Sequence, residues 1–196
     1  MITLAILAGC TSEPANRQAG SAGDVAAANG PDDTRNASPN AAVGCAASVP
    51  IVLRGELHGA VRGELVATSA TTHCQGMQRP ARNGVRLQFR IAKGEQISNL
   101  TMIVGIDKLG RGDVGEGLRT TLTIIDEDND RFFSTGEQLS CFSDITENRP
   151  RPAANSSAIS GIVWCTAAIP QINGNESVRL SELYFSGIVE WRDELS

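Results

Sequence analysis

The sequence predicts an all-β protein: an antiparallel β-sandwich of about eight strands, disulfide-bonded, following a disordered N-terminal tether. Three observations lead there. Hydrophobicity alternates with period two from residue 45 onward, no stretch carries a convincing 3.6-residue apolar stripe, and Gly, Asn and Pro turns separate the apolar runs. A closed β-barrel is the alternative with the same pattern.

The strands justify themselves in order. "LRGELHGAVRGELVA" repeats RGEL at 54–57 and 62–65. An eight-residue offset keeps parity, so Leu57 and Leu65 share a face of one long strand, or the glycines permit a hairpin about His58-Gly59-Ala60. "VRLQFRI" sets Val85, Leu87, Phe89 and Ile91 on one face and Arg86, Gln88 and Arg90 on the other, the mark of a half-buried strand. "LTMIVGI" aligns Leu100, Met102, Val104 and Ile106. "LRTTLTII" aligns Leu118, Leu122 and Ile124 among threonines that suit a pleated surface. "ISGIVWCTAAI" runs from Ile159 to Ile169 and stops at Pro170. "LYFSGIVEW" alternates Leu183, Phe185, Val189 and Trp191.

Composition narrows the function classes. Aromatics are only 4% of the 196 residues, which counts against surfaces that work by ring stacking. A formal charge of −5 counts against a nucleic-acid partner, because that affinity comes largely from clustered Lys and Arg. Arg79, Arg82, Arg86, Arg90 and Lys93 make a modest basic strip, read first as a solvated strand face and second as a surface for an anionic partner.

Five cysteines are an odd number. Cys10 ends the apolar run "MITLAILAGC", while Cys45, Cys74, Cys141 and Cys165 lie beyond it. Four cysteines permit three pairings. Cys45–Cys74 and Cys141–Cys165 are favoured as sequence neighbours flanking separate strand groups, each contributing ~3.5 kcal/mol in the loop-entropy model. The metal alternative, through His73 and Cys74, lacks any C-x-x-C pair to support it.

Leu7-Ala8-Gly9-Cys10 resembles the lipobox of bacterial lipoproteins, in which the signal peptide is cut before a cysteine that carries lipid. The resemblance covers these four residues and the apolar run before them. It implies a signal peptide over 1–9, lipidation at Cys10, an oxidising compartment that suits disulfides, and attachment to a membrane. With Thr11 rather than an aspartate after the cysteine, it also implies an outer-membrane destination. The apolar run is far short of the ~20 residues that span a bilayer. A secretory signal opens on a basic stretch, yet no Lys or Arg precedes Arg17, so the expected start lies upstream of Met1. Residues 11–44 are mostly Ala, Gly, Ser, Pro and Asn, too polar to offset their ordering entropy. A flexible coil of that length reaches roughly 30–35 Å. The expected domains are therefore 1–9, 10–44 and a folded unit over 45–196.

One stretch has the spacing of a metal site. In "DEDNDRFFSTGE", Asp126, Asp128, Asp130, Ser134 and Glu137 fall at positions 1, 3, 5, 9 and 12 of a calcium loop, with the Phe132 carbonyl at 7. Arg131 occupies the sixth position, where glycine is wanted for φ > 0, and the flanks read as strands. The favoured reading is a hairpin with a polar tip about Asp128-Asn129, pairing 121–125 with 131–135. Ca²⁺ on Asp126, Asp128, Asp130 and Glu137 is the second reading.

Other motifs fall away. Gly110, Gly112 and Gly115 match G-x-G-x-x-G, but a strand follows where a dinucleotide site opens a helix. That segment reads as a mobile connecting loop whose Asp107, Asp113 and Glu116 share an edge with the acidic hairpin. No G-x-S-x-G elbow is present, and neither His58 nor His73 has a nucleophile in context. The expectation is a non-enzymatic, lipid-anchored envelope module that binds another envelope component. The alternative is a structural or adhesive module rigidified by calcium at 126–137.

Overall fold

The computed structural model describes Cys45 and residues 50–80, 84–92, 96–97, 99–152 and 155–192. The expected signal peptide, the lipobox with Cys10, the tether, Arg82 and Lys93 lie outside the described residues.

Every element described is a strand: β1 Ile51–Gly59, β2 Gly63–Thr68, β3 Thr72–Gln78, β4 Gly84–Ile91, β5 Leu100–Asp107, β6 Gly115–Asp126, β7 Arg131–Ser134, β8 Cys141–Pro150, β9 Ser156–Cys165, β10 Ile169–Pro170 and β11 Ser177–Glu190. Pairing is antiparallel apart from one β11–β3 contact. Eleven strands exceed the expected eight. RGEL…RGEL is a hairpin of two strands, the polar stretches Thr72–Gln78 and Cys141–Pro150 form β3 and β8, and the run Ile159–Ile169 breaks after Cys165 before β10, while β7 is the return strand expected of the acidic hairpin.

Two long strands divide the pairing between two layers. Along β6, residues 115–120 pair with β8, and residues 120–126 pair with β5 and, from Thr123, with β7. Along β11, residues 178–185 pair with β1, residues 182–190 with β9, and Glu190 meets Met77 of β3. One layer is therefore β2-β1-β11-β9-β8 with the start of β6. The other is β3-β4-β5 with the end of β6 and β7. The hydrogen-bonded path returns on itself, but its β11–β3 link is a single residue pair. The arrangement is thus a sandwich with continuous corners, not a clean barrel.

Alternation delivers the predicted core. Val85, Leu87, Phe89 and Ile91 are buried, as are Leu100, Met102, Val104 and Ile106, with Leu122 and Ile124 beside them. Phe89 of β4 meets Phe185 of β11 across the interior, ring centroids 6.5 Å apart. Leu57 and Leu65 both point inward from facing strands, which settles the RGEL repeat as a hairpin. Gly59 lies at φ +105°, and a β-carbon there would sit 2.5 Å from the Ser177 carbonyl. Gly76 lets β3 approach β11, since a β-carbon would stand 2.2 Å from the Ile188 carbonyl.

Both disulfides form as favoured, Cys45–Cys74 and Cys141–Cys165. The edges are guarded by side chains. On β2, Glu64 N–H donates to Gln96 Oε1 (2.9 Å) and Thr68 N–H to Thr71 Oγ1 (3.3 Å). On β7, Ile172 N–H donates to the Phe132 carbonyl. Each backbone group satisfied in this way is one fewer for another strand to pair with.

Candidate functional site

The acidic hairpin forms, with a longer tip than a two-residue turn. Asp126 pairs with Arg131, so Glu127-Asp128-Asn129-Asp130 is a four-residue loop. The left-handed residue is Asp130 (φ 49°), a type that tolerates that conformation, and Arg131 opens the return strand. Moving the turn by one position removes the steric conflict that the sequence placed at Arg131.

Arg131 is the centre of this end of the molecule. Its Nε (3.1 Å) and Nη2 (2.7 Å) donate to Asp126 Oδ2, Nη1 donates to Glu176 (3.1 Å), and Nη2 also donates to the Ala60 carbonyl (2.9 Å). One side chain thus ties the hairpin to the β1–β2 turn and to the segment before β11. Asp126 is 6% exposed. Burial pushes its pKa up, but hydrogen bonds from Arg131 and Asn129 and the Arg131 charge outweigh this and hold the carboxyl below its usual range.

Two of the four carboxylates of the calcium reading have other partners, and the other two lie apart from them. Asp126 is held by Arg131 and Asn129. Asp128 accepts from Asn99 Nδ2 (2.7 Å). Asp130 is exposed at the loop. Glu137 lies past the far end of β7, in a hollow with Arg79, Asp107, Arg119 and Thr121. Among the described residues no group of three His, Cys, Asp or Glu side chains is placed to hold a metal ion. The guanidinium stands where a cation would neutralise Asp126.

Neighbouring groups are paired as well. Glu127 accepts from Thr101 Oγ1 (2.8 Å) and Arg90 Nη2 (2.9 Å), which hold its carboxyl low. Arg79 pairs with Asp107. The basic strip is thereby interrupted at Arg79 and Arg90. Asp107 and the loop 108–114 lie at the opposite end of β5 and β6 from the hairpin, since Leu100 faces Asp126 while Ile106 faces Thr120. Asp107, Asp113 and Glu116 therefore share no edge with the acidic tip. Asn148 Nδ2 clamps that loop by donating to the Gly110 and Asp113 carbonyls.

The two histidines stand on strands β1 and β3. His58 Nε2 is 3.7 Å from Glu56 on an exposed surface, and His73 lines a hollow with Gln88, Arg90, Asn99 and Glu127.

A second surface emerges only from the register. On the outward face of β8-β9-β11-β1, Phe142 stands opposite Trp164, and Trp164 opposite Glu182. The next row reads Asp144, Ile162, Tyr184, Arg54. The Phe142 and Trp164 rings are 4.9 Å apart and tilted by 30°. Trp164 Nε1 donates to Asp144 Oδ2 (3.3 Å), and Tyr184 OH donates to Glu182 (3.1 Å). Reading the sequence strand by strand misses this face, although parity already turns Trp164 away from Val163 and Tyr184 away from Leu183.

No family model matches the chain, and neither the curated proteins nor the solved structures contain a significant match to it, so the reading of the site rests on its own geometry.

Proposed function

We propose that the chain is a lipid-anchored module of a bacterial cell envelope, most suited to the outer membrane. It is tethered through Cys10 and residues 11–44, and it binds another envelope component without catalysing a reaction. The observation that carries this reading is the cysteine arithmetic. Cys45, Cys74, Cys141 and Cys165 pair among themselves, which leaves Cys10 as the unpaired fifth cysteine, at the end of the lipobox-like run. Disulfides persist in oxidising compartments, and lipidation of the remaining cysteine accounts for the odd number.

The binding part of the reading is supported by the character of the surfaces. Both histidines lie on strand faces, and Asp126, Glu127 and Asp128 of the acidic tip are held by internal partners. A guarded sheet with one aromatic outer face suits recognition better than bond-breaking chemistry. A single lipidated residue on a polar tether would leave the sandwich free to reach a partner beside the membrane.

The test is replacement of Cys10 with Ala in cells. The variant is expected to remain as an uncleaved, unacylated precursor, and normal maturation would refute the anchor. Crosslinking in intact cells followed by affinity purification tests the binding role. Recovery of a specific envelope component supports it, and repeated recovery of none counts against it.

A further inference from the structure

Eight aromatic residues occur in the chain, and their placement is uneven. Phe89, Phe133, Phe185 and Trp191 are buried. Of the four that reach the surface, Phe142, Trp164 and Tyr184 share the outward face of β8-β9-β11; only Phe132 lies elsewhere, on β7. Low aromatic content therefore understates the stacking capacity of this one face.

The face is built to hold its rings still. Phe142 and Trp164 follow and precede the paired Cys141 and Cys165, so the disulfide on the inner side locks the two strands directly beneath the ring pair. The indole is tethered to Asp144, whose other oxygen accepts from Gly117 N–H (2.7 Å). The Tyr184 hydroxyl is tethered to Glu182. Tyr184, 48% exposed, stands as a ridge beside a hollow of about 320 Å³ lined by Ile51, Arg54, Ser160, Ile162 and Ser186. On its other side lies a broader depression edged by Arg54, Arg62, Glu56, Glu64, Gln96 and Glu182. Four strands at ~4.8 Å spacing make the whole face about 14 Å across.

Its chemistry selects a ligand class. Asp144, Glu182, Glu56 and Glu64 only accept hydrogen bonds, while Arg54, Arg62 and, opposite Phe142, Arg119 only donate them, so the face carries both signs and suits the donor and acceptor of a neutral hydroxyl better than a polyanion. Single-stranded nucleic acid uses aromatic platforms too, but in positively charged grooves. A pyranose ring presents an apolar C–H face to an aromatic ring and a rim of hydroxyls to acceptors. Rings fixed before binding lose little entropy when the ligand arrives. We propose that the outer face formed by Phe142, Trp164, Ile162 and Tyr184 is a docking platform for a neutral polysaccharide. This inference deepens, and rests on, the reading of the chain as an envelope-binding module.

The test is affinity electrophoresis of the full-length chain through native gels cast with a soluble neutral glucan, a mannan or an N-acetylglucosamine polymer. Parallel arms use heparin gels and sedimentation with phosphatidylglycerol vesicles. At least one neutral gel is expected to retard the protein. Trp164→Ala and Tyr184→Ala are each expected to weaken that retardation about tenfold, while Phe132→Ala leaves it unchanged. Should Trp164→Ala fold poorly, the half-exposed Tyr184 decides. The proposal is overturned if no neutral polysaccharide retards the chain, if the face variants migrate as wild type does, or if heparin or anionic vesicles bind more strongly than every neutral glycan. Anchoring is read separately through Cys10→Ala, so a failed platform and a failed anchor are distinguishable.

Discussion

Arg131 has the largest structural role of any single charged residue near the acidic tip. A guanidinium offers five donors in a fixed fork, and here donors reach Asp126, Glu176 and the Ala60 carbonyl. Its removal leaves the buried Asp126 carboxylate without its countercharge. Arg131→Ala is expected to destabilise the protein by about 2–3 kcal/mol, measured by denaturant unfolding. The same pair sets a pH dependence. Asp126 titrates below its ordinary value in the folded state, so its contribution is complete above the unfolded value of about 3.9 and is lost as pH falls through the lower folded value. Unfolding measured between about pH 5 and pH 2 should therefore show a shallower acid loss in Asp126→Asn, starting from lower stability at neutral pH. Gly76 is the other sensitive position. Because a β-carbon there meets the Ile188 carbonyl at 2.2 Å, Gly76→Ala is expected to lower stability by about 1–3 kcal/mol by pushing β3 from β11.

At the scale of elements, the sequence made the strands legible and left their partners open. Period-two alternation located β4, β5, β6 and β11 because each buries one face, and burial writes itself into residue type. It missed β3 and most of β8, whose inward positions are largely Thr, Cys, Gly, Ser and Asn, and it missed β10 and the break after Cys165, since a two-residue strand has no period. It could not choose between a strand and a hairpin at RGEL…RGEL, because that choice depends on what Gly59 packs against. The calcium-like spacing shows the same limit. Alternate aspartates specify a ligand set only if the chain curls around a point, and here Asp126 sits in β6 while Glu137 lies beyond the far end of β7. Addition of millimolar Ca²⁺ or of chelator is accordingly expected to leave the thermal midpoint unchanged, whereas a bound ion would raise it by mass action. The Cys141–Cys165 bridge closes 24 residues of sequence separation. Replacing both cysteines with Ser is expected to cost about 3 kcal/mol and, through the strands it joins, to weaken whatever the Phe142–Trp164 face binds.

For the whole molecule, the two layers share β6 and β11, so loss of pairing at one corner propagates to both. Reduction of the disulfides followed by thermal unfolding should lower the midpoint in a single cooperative transition. The candidate site was less legible than the fold. The aromatic platform exists only because strands distant in sequence, with Phe142, Trp164 and Tyr184 on them, align in one register, and register is not encoded in any local pattern. The proposed address is the reverse case: Leu7-Ala8-Gly9-Cys10 is wholly local, and the four paired cysteines single out Cys10 without reference to its surroundings. The most direct test of the account is the mass of the N-terminal peptide of the mature protein isolated from membranes of its native host. The account predicts a peptide that begins at Cys10 and carries the added mass of a lipid on that residue. A mature chain that retains residues before Cys10, or one that begins at an unmodified cysteine, would contradict it.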